Sequence, residues 1–197
     1  LGVGSDQVAA AGFPLVSNML TLNDSPDEVS VTFTDLAPEV ALASQSMIPM
    51  AAFHATVAGD SANLRAVTVT LTGSGAAAGV DKVSLYKDVD GDQVFDLGTD
   101  TLLIEGPFTA GSATLTIPEG AGRGINSVAP KDFLVLLNLS AAAVPDSSYG
   151  IRLNGPGAFD VVAPDTVAAG TAVFNSGAVT VGEPGDGIPV TEGTIVI

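Results

Sequence analysis

Apolar and polar residues alternate with a period of two along most of this chain, in short segments that end at Gly, Pro or Asp. This period is typical of half-buried β-strands. The clearest segment runs from Leu64 to Thr72, and its expected core residues are Leu64, Ala66 or Val67, Val69 and Leu71. Other strands are predicted over residues 29–33, 47–57 with an interruption near Pro49, 83–86, 101–104, 112–117, 131–140 and 149–153. The range 131–140 is continuously apolar, which is typical of a strand covered on both faces.

No segment shows the 3.6-residue period of a convincing amphipathic helix. The pattern therefore predicts an all-β fold, an antiparallel β-sandwich of Ig-like or jelly-roll-like type with extended apolar terminal strands. We expect an N-terminal extension over residues 1–22, followed by one sandwich domain over residues 23–197. Within that domain the module core lies at about residues 45–154, and C-terminal strands follow at 155–197.

Composition and charge narrow the classes of function. The 197 residues are 46% hydrophobic and 14% charged, which is enough to build a core and excludes a disordered chain. Six basic and 22 acidic residues give a net charge of −16. Such a surface repels phosphate groups and anionic lipids and attracts divalent cations. Nucleic-acid binding is therefore excluded, and no apolar run is long enough for a membrane span.

The absence of cysteine excludes disulfides and thiolate metal sites. The chain begins at Leu1 without an initiator Met, which is consistent with a removed export signal or with trimming. An acidic, Thr-rich, Lys-poor β protein suits the exterior of a cell, where calcium is abundant. We therefore expect an extracellular or cell-surface location in a prokaryote.

A cluster of carboxylates surrounds Gly91 in the segment D-V-D-G-D-Q-V-F-D-L-G-T-D, residues 88–100, which we call the acidic loop. Its aspartates are Asp88, Asp90, Asp92, Asp96 and Asp100. Ca²⁺ takes about six to eight oxygen ligands, and alternating carboxylates on a tight turn can converge on one ion. The sequence therefore predicts a calcium site in which these five residues are the candidate ligands.

The acidic loop is not an EF-hand. An EF-hand has glycine at its sixth position and a bidentate Glu at its twelfth, whereas here Gly91 is fourth and Thr99 is twelfth. The flanking segments are also strand-like rather than helical. The alternative interpretation is a solvated acidic turn between two strands, since such turns favour Asp and Gly for backbone reasons alone.

Four segments occur in a recognisable order between Gln45 and Asn154: V-T-V-T-L-T-G-S-G, V-S-L-Y-K-D-V-D-G-D-Q-V-F-D followed by T-L-L, G-S-A-T-L-T-I, and K-D-F-L-V-L-L-N-L-S. Together they resemble a calcium-loop β-sandwich module of bacterial and archaeal surface proteins. The resemblance implies a calcium site in the acidic loop and a role in extracellular assemblies rather than an active site. The chain departs from the module at residues 120–128, where a shorter I-P-A-G turn is expected.

Both ends of the chain are apolar. We call residues 1–22 the N-terminal segment; it has almost no charge beyond Asp6 and too many Gly and Pro residues for a helix. Such a segment needs a partner, and one scheme is strand addition to the sheet of a neighbouring copy. Burial of about five or six apolar side chains would contribute on the order of 10 kcal/mol before entropy. The expected contact residues are Leu1, Val3, Val8, Phe13, Leu15 and Val16.

The sequence leaves two alternatives to this scheme open. Both ends can pair within their own sandwich, or the C-terminal strand, residues 189–197, can be the donor instead. A head-to-tail contact that does not close into a ring gives a fibre. The leading hypothesis is therefore a helical homopolymer: a structural subunit of an extracellular filament, stabilised by calcium. The alternative hypothesis is a calcium-dependent adhesin or surface-layer module that is monomeric in isolation and binds glycans or a protein.

An enzyme is not expected. His54 is the sole histidine and stands among apolar residues in A-A-F-H-A, which is more typical of a half-buried strand residue than of a catalytic base. No G-x-S-x-G motif occurs, and the Gly120–Gly124 cluster lacks the lysine of a P-loop. Two sequons, at Asn23 and Asn138, are expected to be chance occurrences. Exposed Thr-rich faces are candidates for O-linked sugar. Glycans are candidate partners of the loops in the adhesin alternative.

Overall fold

The computed structural model describes residues 25–120, 122–129 and 131–183. It confirms the all-β sandwich. Its strands are β1 Glu28–Asp35, β2 Val40–Leu42, β3 Ile48–Ala58, β4 Ser61–Thr72, β5 Val80–Asp88, β6 Thr101–Gly106, β7 Ser112–Thr116, β8 Gly124–Asn126, β9 Lys131–Leu139, β10 Ser148–Asn154, β11 Phe159–Val161, β12 Thr166–Val167, β13 Val173–Asn175 and β14 Val179–Gly182. Two short 3-10 helices, Ala77–Gly79 and Gly155–Ala158, join strands.

The strands form two sheets. The first, which we call sheet one, has the order β12-β1-β3-β9-β5-β6. In the second, sheet two, β4 pairs with β7 and β8 on one side and with β10 and β11 on the other. Strand β10 then pairs with β13 and β14, and β14 pairs with β2. Most neighbours are antiparallel, as predicted, whereas the edge pairs β1/β12 and β2/β14 are parallel because the chain reaches them by long crossover connections.

The inner faces of the two sheets make one hydrophobic core. On β4 the predicted core residues Leu64, Ala66, Val67 and Val69 are buried, and Leu71 is half-buried against the same core. Phe53 of β3 and Phe133 of β9 stack at the centre with ring centroids 4.9 Å apart. Such aromatic pairs contribute about 0.5–1.5 kcal/mol beyond the area that they bury.

Strand β9 is covered on both faces, as its continuous apolar run predicts. All residues from Phe133 to Leu137 are buried, and their side chains alternate between the main core and the outer face of sheet one. The interruption predicted near Pro49 is also confirmed, because the β3–β9 register shifts between Pro49 and Ala51. Proline lacks a backbone N–H, so a register shift at that position avoids a lost ladder hydrogen bond.

Several parts of the prediction fall outside the described residues. These are the N-terminal segment with its contact residues, and the C-terminal strand at residues 189–197. Within the described part of the chain, no helix is long and apolar enough to cross a membrane.

Candidate metal centre

The acidic loop connects β5 to β6 at one end of sheet one. It begins at Asp88, the last residue of β5, and reverses direction at Gly91, whose φ is +76°. Glycine adopts this φ at no steric cost, whereas most residues with a side chain are disfavoured there. Gln93 also has a positive φ of 63°. The backbone therefore curls tightly and keeps its aspartates close together.

Two carboxylates hold the backbone of the loop in place. Asp88 is only 4% exposed; its Oδ1 accepts a hydrogen bond from the Gly91 N–H at 2.7 Å, and its Oδ2 accepts one from the Gln93 N–H at 2.8 Å. Asp100 does the same from the other end, accepting from the N–H of Val89 at 3.1 Å and of Asp96 at 2.8 Å. Charge-assisted bonds of this kind are about twice as strong as neutral ones.

The five predicted ligands form two overlapping groups. One contains Asp88, Asp90 and Asp100, and the other contains Asp90, Asp92 and Asp96. In each group, one carboxylate oxygen per residue lies within 4.8 Å of the others. Two oxygens bound to one Ca²⁺ at 2.3–2.6 Å are at most about 5 Å apart, so this spacing and this donor set fit calcium. Mg²⁺, with shorter bonds, requires a tighter group.

Asp90 belongs to both groups, and its surroundings disfavour its charge. Partial removal from water raises the pKa of the Asp90 carboxyl, and so do a hydrogen bond with Asp88 and the negative charge of Asp92. Like charges gathered at one point repel one another unless a cation neutralises them. A cation bound at Asp90 would offset this repulsion.

The acidic loop also covers the outer face of sheet one. Its Phe95 ring meets the ring of Tyr86 edge to face, with centroids 4.9 Å apart. Both belong to a second hydrophobic cluster, which we call the outer cluster. Its members are Leu36, Ala52, Tyr86, Phe95, Leu134 and Leu136. Burial in this cluster raises the pKa of the Tyr86 phenol. The position of Phe95 therefore couples the order of the loop to the burial of β5 and β9.

A His–Asp pair lies beside the loop. In the sheet ladder Asp132 of β9 is paired with Asp88 on one side and with His54 on the other. The Nδ1 atom of His54 and the Oδ1 atom of Asp132 are 2.8 Å apart. The other oxygen of Asp132 lies 3.6 Å from the point where a Cβ on Gly91 would stand, so this carboxylate faces the turn of the loop.

Sequence reasoning identified His54 as a strand residue but missed Asp132, its partner. The two residues are 78 positions apart, and only the register of β3 on β9 brings them together. Of the sequons, Asn23 lies outside the described residues. Asn138 is in β9, where its Oδ1 accepts a hydrogen bond from the Met47 N–H at 2.8 Å.

Comparison with known proteins supports the fold alone. No protein-family model matches the chain, and no curated protein matches it in sequence. Among solved structures, a Hadza microbial sialidase, Hz136, is similar, with a TM-score of 0.52 and 7% sequence identity. The match covers 77% of this chain and 31% of the sialidase, so this chain spans about a third of that protein. At this identity the likeness describes a shared β-rich architecture.

Proposed function

We propose that this protein is a structural subunit of an extracellular or cell-surface filament, joined head to tail by strand addition and stabilised by calcium. The observation that carries the proposal is that an edge strand of sheet one is unpaired along most of its length. Strand β12 pairs with β1 only at Glu28 and Val29, and no described strand pairs with residues 30–35 of β1 on that side. A free edge is a template for another strand, and the N-terminal segment supplies an apolar one in the sequence.

Calcium binding is supported by the chemistry of the acidic loop. Two overlapping groups of carboxylates at a spacing that fits Ca²⁺ lie on a loop that their own hydrogen bonds hold in shape. Extracellular modules work with weak calcium sites because the free ion is abundant there. The same ion would neutralise part of the net charge of −16, which otherwise opposes the approach of two copies.

A structural role also agrees with the surroundings of His54. A histidine base needs an orienting acid and a nucleophile within reach of its second nitrogen. Asp132 can orient His54, but among the described residues no hydroxyl is hydrogen-bonded to the other ring nitrogen. We therefore propose no catalytic role for this pair. Asp132 instead brings a further carboxylate to the side of the acidic loop.

Electron microscopy of the purified full chain with calcium tests this proposal. We expect fibres from the wild type, and dispersed folded monomers after deletion of residues 1–17. A matched pair of variants controls for charge: Phe13→Asp with Leu15→Asp should prevent fibres, whereas Ser5→Asp with Asn18→Asp adds the same charge at polar positions and should retain them. Dispersed wild-type particles would favour the adhesin or surface-layer alternative, and fibres from the deleted chain would refute the N-terminal segment as donor.

A further inference from the structure

Strand β1 has a free edge along most of its length. Strand β12 pairs only with Glu28 and Val29, and no described strand pairs with residues 30–35 on that side. We call residues 30–35 the open edge. Val29 O accepts the Ala168 N–H, on the side of β12, whereas the Leu36 N–H is donated to Met50 O, on the side of β3. Because backbone groups alternate along a strand, the N–H and C=O groups of Val31 and Phe33 face the open side.

The open edge lacks the features that protect other edges of the sandwich. Between Ser30 and Thr34 it has no charged residue and no proline, and its ladder with β3 is regular over all eight residues. Strand β6, in contrast, carries a register shift and an ion pair between Lys82 and Glu105 at 2.7 Å. Strand β2 has only three residues. Bulges, charges and short length are the usual means by which an edge avoids pairing, and the stretch from Ser30 to Thr34 has none of them. The one charge of the open edge is Asp35 at its end, whose carboxylate accepts a hydrogen bond from the Gly177 N–H at 2.8 Å.

The open edge also adjoins a part of the core that is incompletely covered. Phe33 is half-buried, and its ring stacks on that of Phe174 with centroids 5.1 Å apart. Val167 at the end of β12 is likewise half-buried against the core. Along β1 the residues Ser30, Thr32 and Thr34 are exposed, so the strand is polar on its outer face. An added strand with apolar residues on its inner face would therefore extend both the backbone ladder and the core.

We propose that the open edge of β1 is the acceptor site for the N-terminal segment of a second copy of this chain. This inference rests on the proposed function and names the surface that it uses. The segment has 22 residues, and an extended chain spans about 3.3 Å per residue, so it is far longer than the six-residue open edge. Its charged residue is Asp6 alone, so its approach to a protein of net charge −16 meets little repulsion.

The start of β1 is already paired. The Asp27 N–H donates to the Asp165 carboxylate at 3.1 Å, and the Asp27 carbonyl accepts from the Thr166 N–H at 2.9 Å. These bonds place β12 directly beside the start of β1, so a strand added to the open edge pairs beyond Val29.

Disulfide trapping tests the assignment, because the chain has no cysteine of its own. One set of full-length single variants carries cysteine in the N-terminal segment, Ala9→Cys, Ala10→Cys or Ala11→Cys. The other carries Thr32→Cys at the open edge, or, as controls on two other edges, Leu102→Cys on β6 or Thr114→Cys on β7. Pairs are mixed under polymerising conditions and oxidised, and disulfide-linked heterodimers are measured on non-reducing gels.

We expect disulfide-linked heterodimers with Thr32→Cys, because cross-strand neighbours have the Cα separation that a disulfide needs. We expect no heterodimers with Leu102→Cys or Thr114→Cys. Fibres that cross-link at Leu102 or Thr114 but not at Thr32 would overturn the acceptor assignment and leave the filament proposal standing. Absence of fibres from every variant and from the wild type would instead refute the proposed function. A double variant, Ala10→Cys with Thr32→Cys, that closes within one chain at high dilution would refute exchange between copies.

Discussion

Removal of calcium should lower the melting temperature of this protein through the acidic loop. The folded chain brings one oxygen from each member of a carboxylate group within 4.8 Å, whereas an unfolded chain has no such grouping. A ligand that binds only the folded state stabilises it by about 2.7 kcal/mol at a hundredfold excess over its dissociation constant. For a chain of this size, 1 kcal/mol shifts the melting temperature by about 2–4 °C. A chelator should therefore lower the melting temperature by roughly 5–11 °C under those conditions.

Asp90→Asn is the substitution that tests the cause of this shift. Asp90 contributes to both carboxylate groups, so its replacement weakens both at once. The raised pKa of Asp90 reflects surroundings that disfavour its charge, so the metal-free variant should melt no lower than the metal-free wild type. The matched control is Asp81→Asn, which removes one negative charge from an exposed position on β5 outside both groups. We expect Asp90→Asn to lose the calcium shift and Asp81→Asn to keep it.

Scanning calorimetry at constant ionic strength provides the measurement, with calcium, magnesium or chelator as the variable. Constant ionic strength separates a bound ion from general screening of the net charge of −16. Magnesium should shift the melting temperature less than calcium, because it demands shorter bonds. An unchanged melting temperature of the wild type in chelator, or a full calcium shift in Asp90→Asn, would show that the acidic loop does not bind the ion.

Three further predictions concern packing, proton binding and the open edge. Phe95→Ala should lower the free energy of unfolding by about 1–2 kcal/mol in urea titrations and weaken calcium binding in calorimetry, because it uncovers the outer cluster. Asp27 and Asp60 share a hydrogen bond that raises the pKa of Asp27 and lowers that of Asp60 from the ordinary 3.8. The contribution of this pair to stability should therefore be largest at a pH between the two shifted pKa values. It should fall as the pH rises through the pKa of Asp27, and also as the pH falls through the pKa of Asp60. Melting temperatures measured across this pH range test the prediction, and Asp27→Asn should remove the loss on the high-pH side. Val31→Pro removes an N–H that faces away from β3, so it should abolish fibres in micrographs while circular dichroism still reports a cooperative melt.

Much of the fold could be predicted because the strands obey local rules. The alternation in β1 and β4, the continuous run in β9 and the interruption at Pro49 each depend on neighbouring residues only. Strands β2 and β8 were missed, and β11 and β12 were expected only within a general range of C-terminal strands, because each has only two or three residues, too few to show a period. The parallel pairing of β12 with β1 also has no local signal, since it joins residues more than a hundred positions apart.

The candidate metal centre divides in the same way. The five aspartates are close in sequence, so their grouping follows from a tight turn at Gly91. Spacing in the sequence could not predict that Phe95 covers the outer face or that Asp132 lies beside the turn. Both positions depend on tertiary register. The apolar residues Leu134 and Leu136 in the sequence of β9 indicated that something covers the outer face of this strand. They did not indicate which residue does so.

The acidic loop and the open edge lie apart on the same sheet, which has a consequence for how chelation should affect a fibre. In sheet one, β3 and β9 separate β1 from β5, so three strand spacings of about 4.8 Å put the open edge about 14 Å from β5, where the loop begins. We therefore expect an ion held by the aspartates beside β5 to lie outside a joint made at β1. Calcium would strengthen each subunit through Phe95 and the outer cluster, while the joint would depend on β1 alone. Fibres transferred to chelator below the metal-free melting temperature should thus stay intact in micrographs. Above that temperature they should disperse as their subunits unfold. Rapid dispersal into folded monomers at low temperature would mean that the ion lies in the joint itself.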